Sequence, residues 1–434
     1  MKIPQRIAQT LINSLKGGVV PRTGLAYVAV GREAEIKALL HDVDVAADGG
    51  ASFRFIVGKY GSGKSFLLQT VRNYVMDRNF VVIDADLSPE RRLQGTKGQG
   101  LATYKELIKN MSTRTRPDGG ALSLILDRWI SSVMSSVASQ GAVPDTAEFS
   151  ALVERGIFKV ASSLSELVHG FDFAKLLVTY YRSFVAGDDE AKAKVLKWFR
   201  GEYATKSEAK SELGVNIIIT DDDWYEYIKL FSSFFVMAGY SGLIMLIDEL
   251  VNIYKIPNSI TRQYNYEKIL SMYNDTLQGK ASHLGIIMSS TPRCLEDTRR
   301  GIYSYEALKS RLSSGKFSVG TSDLLSPVIK LSPLSNEEML ILTEKLTEIH
   351  AALYSYEPRV TTEDAAQFIR AEYSRVGAEQ MITPREVIRD WIEVLNVLYQ
   401  NPGTTVDALI SSGGFSFSAP ETGDEESSYA EFEI

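Results

Sequence analysis

The stretch FRFIVGKYGSGKSFLL, Phe53–Leu68, runs from an apolar segment straight into three glycines, a lysine and a serine. An apolar run of this length bounded by glycine reads as a buried strand, and Phe66 to Met76 then takes up helical spacing. Between them Gly58–Ser65 fits the pattern G-x-x-x-x-G-K-[ST] without deviation. The chemistry calls for these residue types. Gly58, Gly61 and Gly63 let backbone N–H groups curl around phosphate oxygens where a side chain would collide. Lys59, Tyr60 and Ser62 complete the loop, and Phe66 opens the helix whose partly positive end faces the anion. Lys64 is placed to reach the β- and γ-phosphates, and the Ser65 hydroxyl to hold Mg²⁺. The competing account is a glycine turn that matches by chance, and the flanking strand and amphipathic helix weigh against it.

A second buried strand, NFVVIDADL from Asn79, closes a strand–loop–helix–strand unit, which implies a parallel sheet. The stretch SGLIMLIDEL from Ser241 drives Asp248 and Glu249 to the end of another apolar run. There Asp248 suits Mg²⁺ and Glu249 suits a general base that takes a proton from the attacking water. Capping of the chain from Val251 onward is the plainer account of the pair. Lys64 and Asp248 are expected side by side at neighbouring strand tips. LGIIMSS from Leu284 ends a third core strand in Ser289, Ser290 and Thr291, whose hydroxyls suit either orientation of a lytic water or ordinary strand-end capping. Short apolar strands alternating with helices give an α/β fold built on a P-loop sheet.

Outward from this core, residues 1–100 form its first part. A helix from Pro4 to Leu15 ends at Gly17-Gly18. Residues 101–220 carry little strand signal and read as a mostly helical insertion. Residues 221–332 complete the core, beginning with a helix capped by Thr220 whose Trp224, Ile228, Phe231 and Phe235 fall at core spacing. Residues 333–402 read as a helical lid, with Asn336 and Thr362 as caps. Residues 403–434, rich in Gly, Ser and acid, are expected to be disordered. Two arginines are placed for phosphate chemistry. Arg311, in YEALKSRLSS, suits the γ-phosphate of a neighbouring subunit, and Arg385, in MITPREVIRDW, suits closure over the phosphates. Solvated helix arginines are the alternative for both.

Composition narrows the classes. The 434 residues are 44% hydrophobic and 23% charged, as in a globular protein with a real core. No long apolar run suggests a membrane helix, and the N-terminus reads as an amphipathic helix, not a signal peptide. The lone Cys294 and four scattered histidines offer neither a disulfide nor a metal cluster, which fits a reducing cytoplasm. A net charge of −7 argues against a chain wholly coated for nucleic acid. A local basic segment, Arg91–Arg116, holds Arg91, Arg92, Lys97, Lys105, Lys109, Arg114 and Arg116, and suits either DNA or solvent.

The order of these parts resembles AAA+ ATPases of the ORC/Cdc6-like branch. The matching pieces are VGRE from Val30, the glycine loop, LIMLIDE, GIIMSSTP, ALKSRL and TPREVIRDW. More narrowly, INSLKGGVVPRTGLAYVAVGRE and RRLQGTKGQGLATYKELIKNM are similar to BrxD-type ATP-binding proteins of bacterial BREX phage-defence systems. The resemblance covers most of residues 5 to 400. It implies that Val30 and Gly31 contact the adenine side of ATP, that Ser290 is the sensor at the strand edge, that Arg311 acts in trans and that Arg385 is the lid sensor. Many relatives carry asparagine where Ser290 stands. A winged helix for DNA is common in ORC/Cdc6 proteins, and too little ordered chain is expected after Gln400 for one. The expected function is an ATP-hydrolysing assembly factor that works as a homo-oligomer or with other defence proteins. The alternatives are an ATP-dependent scaffold with negligible turnover and, with no acceptor site visible, a metabolite kinase.

Overall fold

The computed structural model describes residues 3–162, 164, 167–313, 323–374, 382–411 and 415–418. Five strands, β1 (Ala51–Val57), β2 (Val81–Asp86), β3 (Leu243–Asp248), β4 (Leu284–Ser290) and β5 (Val328–Lys330), form one sheet in the order β2-β3-β4-β1-β5. β2 pairs with β3 and β3 with β4 in parallel, from Val81↔Leu243 to Asp86↔Asp248 and from Leu243↔Leu284 to Ile247↔Met288. β3 and β4 are buried at every residue, which explains their unbroken apolar runs: strands covered on both faces need no polar alternation. The sheet order corrects one expectation. β4 lies between β1 and β3, so the strands that carry Lys64 and Asp248 at their ends are not neighbours. The short β5 carries too few residues to show in the sequence pattern.

By contacts the chain divides into two units, Met1–Ile36 with Ile56–Val71 and Ile329–Ile434, and Lys37–Phe55 with Arg72–Val328. In the first, helices Gln5–Lys16, Asn336–Tyr354, Thr362–Tyr373 and Pro384–Gln400 bury one cluster around Leu11, Leu346, Phe368 and Trp391. Trp391 is fully buried, and its indole N–H donates to the Thr343 carbonyl at 3.0 Å, so the large apolar body and its polar tip are both satisfied. Gly17 and Gly18 end the first helix as expected, Gly18 at φ +70°. The lid caps stand one residue earlier than expected. Ser335 and Thr361, with Glu338 and Asp364, form reciprocal capping boxes in place of Asn336 and Thr362. Beyond residue 403 the chain does not start as coil. A helix spans Val406–Ser411 with Val406 buried, and the Ser418 N–H donates to Asp390 at 2.7 Å. The acidic end, residues 419–434, lies outside the described residues.

In the second unit, helices follow β2 over Gln99–Lys109, Leu122–Ser139, Ala147–Ser162, Gly170–Ala186, Asp189–Phe199 and Lys206–Leu213. Trp224–Met237 then leads into β3, and its Phe231 and Phe234 pack against Phe173 at ring distances of 5.3 and 5.9 Å. Thr220 is not its cap. Asp223 Oδ1 accepts from both the N–H and the hydroxyl of Thr220 at 2.7 Å, and the helix opens one residue later. No helix among the described residues is long and apolar enough to cross a membrane.

Candidate functional site

In the first unit the chain turns from Val57 into the glycine loop and then into the helix Lys64–Asp77. Gly61 and Gly63 sit at φ +73° and +91°, a region that side chains disfavour by about 1–2 kcal/mol. The helix that follows leaves its first N–H groups without intrahelical acceptors, which is what an anion needs. The Lys64 ammonium donates to the carbonyls of Gly58 and Lys59, both at 2.9 Å, so it is folded over its own loop. Phe66 packs its ring against the apolar cluster of this unit, which leaves only its backbone for the phosphate role expected of it.

Two further segments of the unit meet the loop. Gly31 and Arg32 both adopt left-handed backbone, at φ +65° and +64°. A Cβ on Gly31 would stand 2.6 Å from Glu338 Oε1, so a side chain there would have to displace that carboxylate as well as bear the left-handed backbone, while Val30 packs against the apolar cluster. The turn sends the Arg32 guanidinium to the Ser62 carbonyl at 3.3 Å, with Glu35 holding its other nitrogen at 3.2 Å. This loop-positioning role of Arg32 was not legible from VGRE alone, although the arginine is part of that motif. From the other side, Pro384 opens the helix Pro384–Gln400, and the Glu386 carboxylate accepts from the Thr383 N–H at 2.9 Å. This cap presses the Thr383 side chain toward Gly61 and sets the Arg385 guanidinium 4.7 Å above the Tyr60 ring. Arg385 and the glycine loop are therefore brought together.

A contrast of two substitutions tests this packing. Gly63→Ala meets no atom within 4 Å and loses only the backbone term, about 1–2 kcal/mol. Gly61→Ala has the same backbone penalty and also drives a methyl into Thr383, so its melting temperature is expected to fall further. Equal losses by calorimetry would show that Thr383 does not close on the loop in solution.

In the second unit Asp248 ends β3 at 8% exposure. Its Oδ1 accepts the Glu249 N–H at 2.8 Å and the Ser289 hydroxyl. Glu249 itself is held at φ +61°, an uncommon conformation for a glutamate and one that costs free energy unless the surroundings impose it. The Leu87 N–H donates to the Asp248 carbonyl at 3.1 Å, and Asn252 binds the carbonyls of Leu87 and Glu249 at 2.9 and 3.3 Å. The carboxylate pair thus sits on a braced turn. Ser290 does not join it. Successive strand residues face opposite sides, so Ser289 reaches Asp248 while the Ser290 hydroxyl turns to the Thr291 carbonyl at 3.3 Å. Thr291 is the capping residue, accepting the Cys294 N–H at 3.2 Å. Strand-end capping therefore holds for Thr291, while Ser289 is the hydroxyl that reaches Asp248. Arg311 is exposed in the last turn of Glu306–Leu312, its guanidinium on the Ala307 carbonyl at 2.7 Å.

Taken singly, the oxygen donors of the two units are of the kind that magnesium takes. No group of three or more His, Cys, Asp or Glu among the described residues could enclose a metal by itself. The serine hydroxyl of Ser65 and the carboxylate of Asp248 are hard oxygen donors, and Mg²⁺ characteristically takes one or two protein oxygens together with phosphates and water.

Residues 3–413 match a family model described as "BREX system ATP-binding protein BrxC/D". No curated protein matches the sequence. Among solved structures, the chain is similar to domain III of the replication initiation protein DnaA from Thermotoga maritima, at 13% identity and a TM-score of 0.35, over 90% of this chain and 95% of that one.

Proposed function

We propose that this chain, which belongs to the BREX system ATP-binding protein BrxC/D family, hydrolyses MgATP to drive assembly or remodelling of a protein or protein–DNA complex in bacterial antiphage defence. The observation that carries the hydrolytic reading is the braced Asp248-Glu249 turn. Asp248 is already oriented by Ser289 and by its own following N–H, and Glu249 is held in a strained backbone that a mere strand end does not require. Lys64 exchanges its two loop carbonyls for β- and γ-phosphate oxygens, a substitution of like acceptors that needs no large movement. Glu249 takes the proton of the attacking water, and Ser289 keeps Asp248 in place. Ser65 and Asp248 would hold Mg²⁺, which when bound would supply neutralisation of charge on the phosphates.

Val30 and Gly31 take the adenine side. Arg385 leaves its stack on Tyr60 to bind phosphate, and Arg311 completes the site of an adjoining subunit. Ser290 keeps only a supporting place in the strand. The protein works in the cytoplasm as a homo-oligomer or with other defence proteins, and Arg91–Arg116 is its candidate contact with DNA.

A scaffold with negligible turnover is the second reading. It is favoured by the apolar side chains that the insertion leaves in solvent, Phe171 at 70% and Val185 at 49% exposure, which suit a partner protein. Steady-state phosphate release, with and without DNA, separates the two. Sustained release is expected, and MgATP binding without release would leave the scaffold.

A further inference from the structure

The second unit contains a cavity of about 1200 Å³ that the ATP reaction does not use. Its floor is the turn Gln94-Gly-Thr-Lys-Gly-Gln99 with the start of the helix Gln99–Lys109, and one wall is the face of Ser259–Leu277 that carries Thr261, Tyr264, Lys268 and Ser271. These positions recur at three- and four-residue spacing, so a single helix face is turned inward. The turn is rigidly built. Gly98 is left-handed at φ +81°, and Asp221 accepts the N–H groups of Gly98 and Leu101, both at 2.7 Å. Asn265 accepts those of Leu93 and Gln94 at 3.0 Å.

Formally the lining is balanced, with Arg92, Lys97, Lys105 and Lys268 against Glu202, Asp221, Asp222 and Glu267. The two signs differ in how they are held. Asp221 is spent on two backbone N–H groups, Asp222 accepts from Gln94 at 2.8 Å, and Glu267 from Gln263 at 3.2 Å. Lys268 donates to the Asp222 carbonyl at 2.8 Å, and burial lowers its pKa. Arg92, Lys97 and Lys105 enter no ion pair among the described residues, and the buried Nε of Arg92 has no hydrogen-bond partner. Three carboxylates are thus oriented by neutral donors, while the Arg92, Lys97 and Lys105 cations are left able to turn toward a ligand. Beside them the Tyr264 ring is half exposed, an aromatic face with no work in the core.

We propose that this cavity is a second ligand site, for an unpaired stretch of nucleic-acid strand, with Arg92, Lys97 and Lys105 on its phosphates and Tyr264 stacked on a base. Volume decides for a strand over a free nucleotide. Small-molecule sites measure about 300–1,000 Å³, so a mononucleotide would leave this cavity partly empty while two or three linked nucleotides fill it. Stacking decides for an unpaired strand over a duplex, whose base faces are already covered. The proposal rests on and narrows the reading of Arg91–Arg116 as a DNA contact, and it is independent of the ATP site, since every residue it uses lies outside the glycine loop and the Asp248-Glu249 turn.

The test is fluorescence anisotropy of a labelled deoxythymidine oligomer of about a dozen nucleotides, titrated at several salt concentrations with the full chain and with its Lys64→Ala variant. Both should bind alike, so failure of the ATP reading does not touch the result. Lys97→Ala with Lys105→Ala should weaken binding at least about tenfold and flatten the salt dependence by about 0.7 per lysine removed. Tyr264→Ala should weaken binding about 5-fold or more with the salt dependence unchanged. Circular dichroism and retained MgATP binding confirm that these surface variants fold. No binding by the wild-type chain, or equal binding by the variants, overturns the site. A duplex held as tightly as the oligomer, or dTMP held as tightly, overturns the assignment to an unpaired strand.

Discussion

Glu249→Gln is expected to lower steady-state ATP hydrolysis by about 10²- to 10⁴-fold, the range for loss of a positioned general base, while MgATP binding is retained. The amide keeps the size and the backbone of the glutamate, so the turn at φ +61° and the N–H bond to Asp248 survive, and only the proton acceptor is lost. This separates chemistry from architecture. Ser289→Ala should act differently. It leaves the base in place but removes one of the donors to Asp248 Oδ1, so its effect should fall on the magnesium dependence of turnover before its maximal rate. Unchanged hydrolysis in Glu249→Gln, measured by phosphate release, would remove Glu249 from the reaction.

Lys64→Ala should weaken MgATP binding by about 10- to 100-fold, the worth of roughly 1.5–3 kcal/mol for charge-assisted bonds to phosphate. In the absence of nucleotide the variant gives up the bonds from its ammonium to the Gly58 and Lys59 carbonyls of its own loop. A ligand at a hundred times its Kd stabilises the wild-type chain by about 2.7 kcal/mol, and a hundredfold weaker variant at the same concentration by about 0.4 kcal/mol. The melting shift with MgATP should therefore nearly vanish. Titration calorimetry gives the same comparison directly. Mixing Lys64→Ala with Arg311→Ala protein adds a test of shared sites. An assembly in which Arg311 serves the neighbouring site should recover part of the activity, because some interfaces then pair an intact loop with an intact arginine. No recovery at any mixing ratio places Arg311 among ordinary surface arginines.

The apolar runs that became β1, β2, β3 and β4 and the glycine loop were legible in the chain because each is local. A strand buried on both faces must be apolar throughout, and a phosphate cradle must be glycine, lysine and hydroxyl at set spacing. Asp248 and Glu249 were legible for the same reason, as two charges where an apolar run stops. The caps were harder to place. Ser335 and Asn336 are both good cap residues, and the choice went to the serine because Glu338, three residues on, closes a reciprocal pair. The tail was misjudged at its start because composition averages over a segment. A few apolar residues, Val406 and Phe417 among them, find the lid cluster and outweigh the Gly and Ser around them.

Sequence alone settled that this protein has an α/β core, a glycine-rich loop at the end of one strand and a carboxylate pair at the end of another, because those features are written in residues a few positions apart. Tertiary structure decided what adjacency along the chain cannot encode. It put β4 between β1 and β3, chose Ser289 over Ser290 for Asp248, and carried Arg32 to Ser62 and Arg385 to Tyr60. Each of these joins residues through packing that the rest of the chain must first complete, and a side chain's partner across such a gap is set by the face it occupies in the folded element, not by its own chemical type.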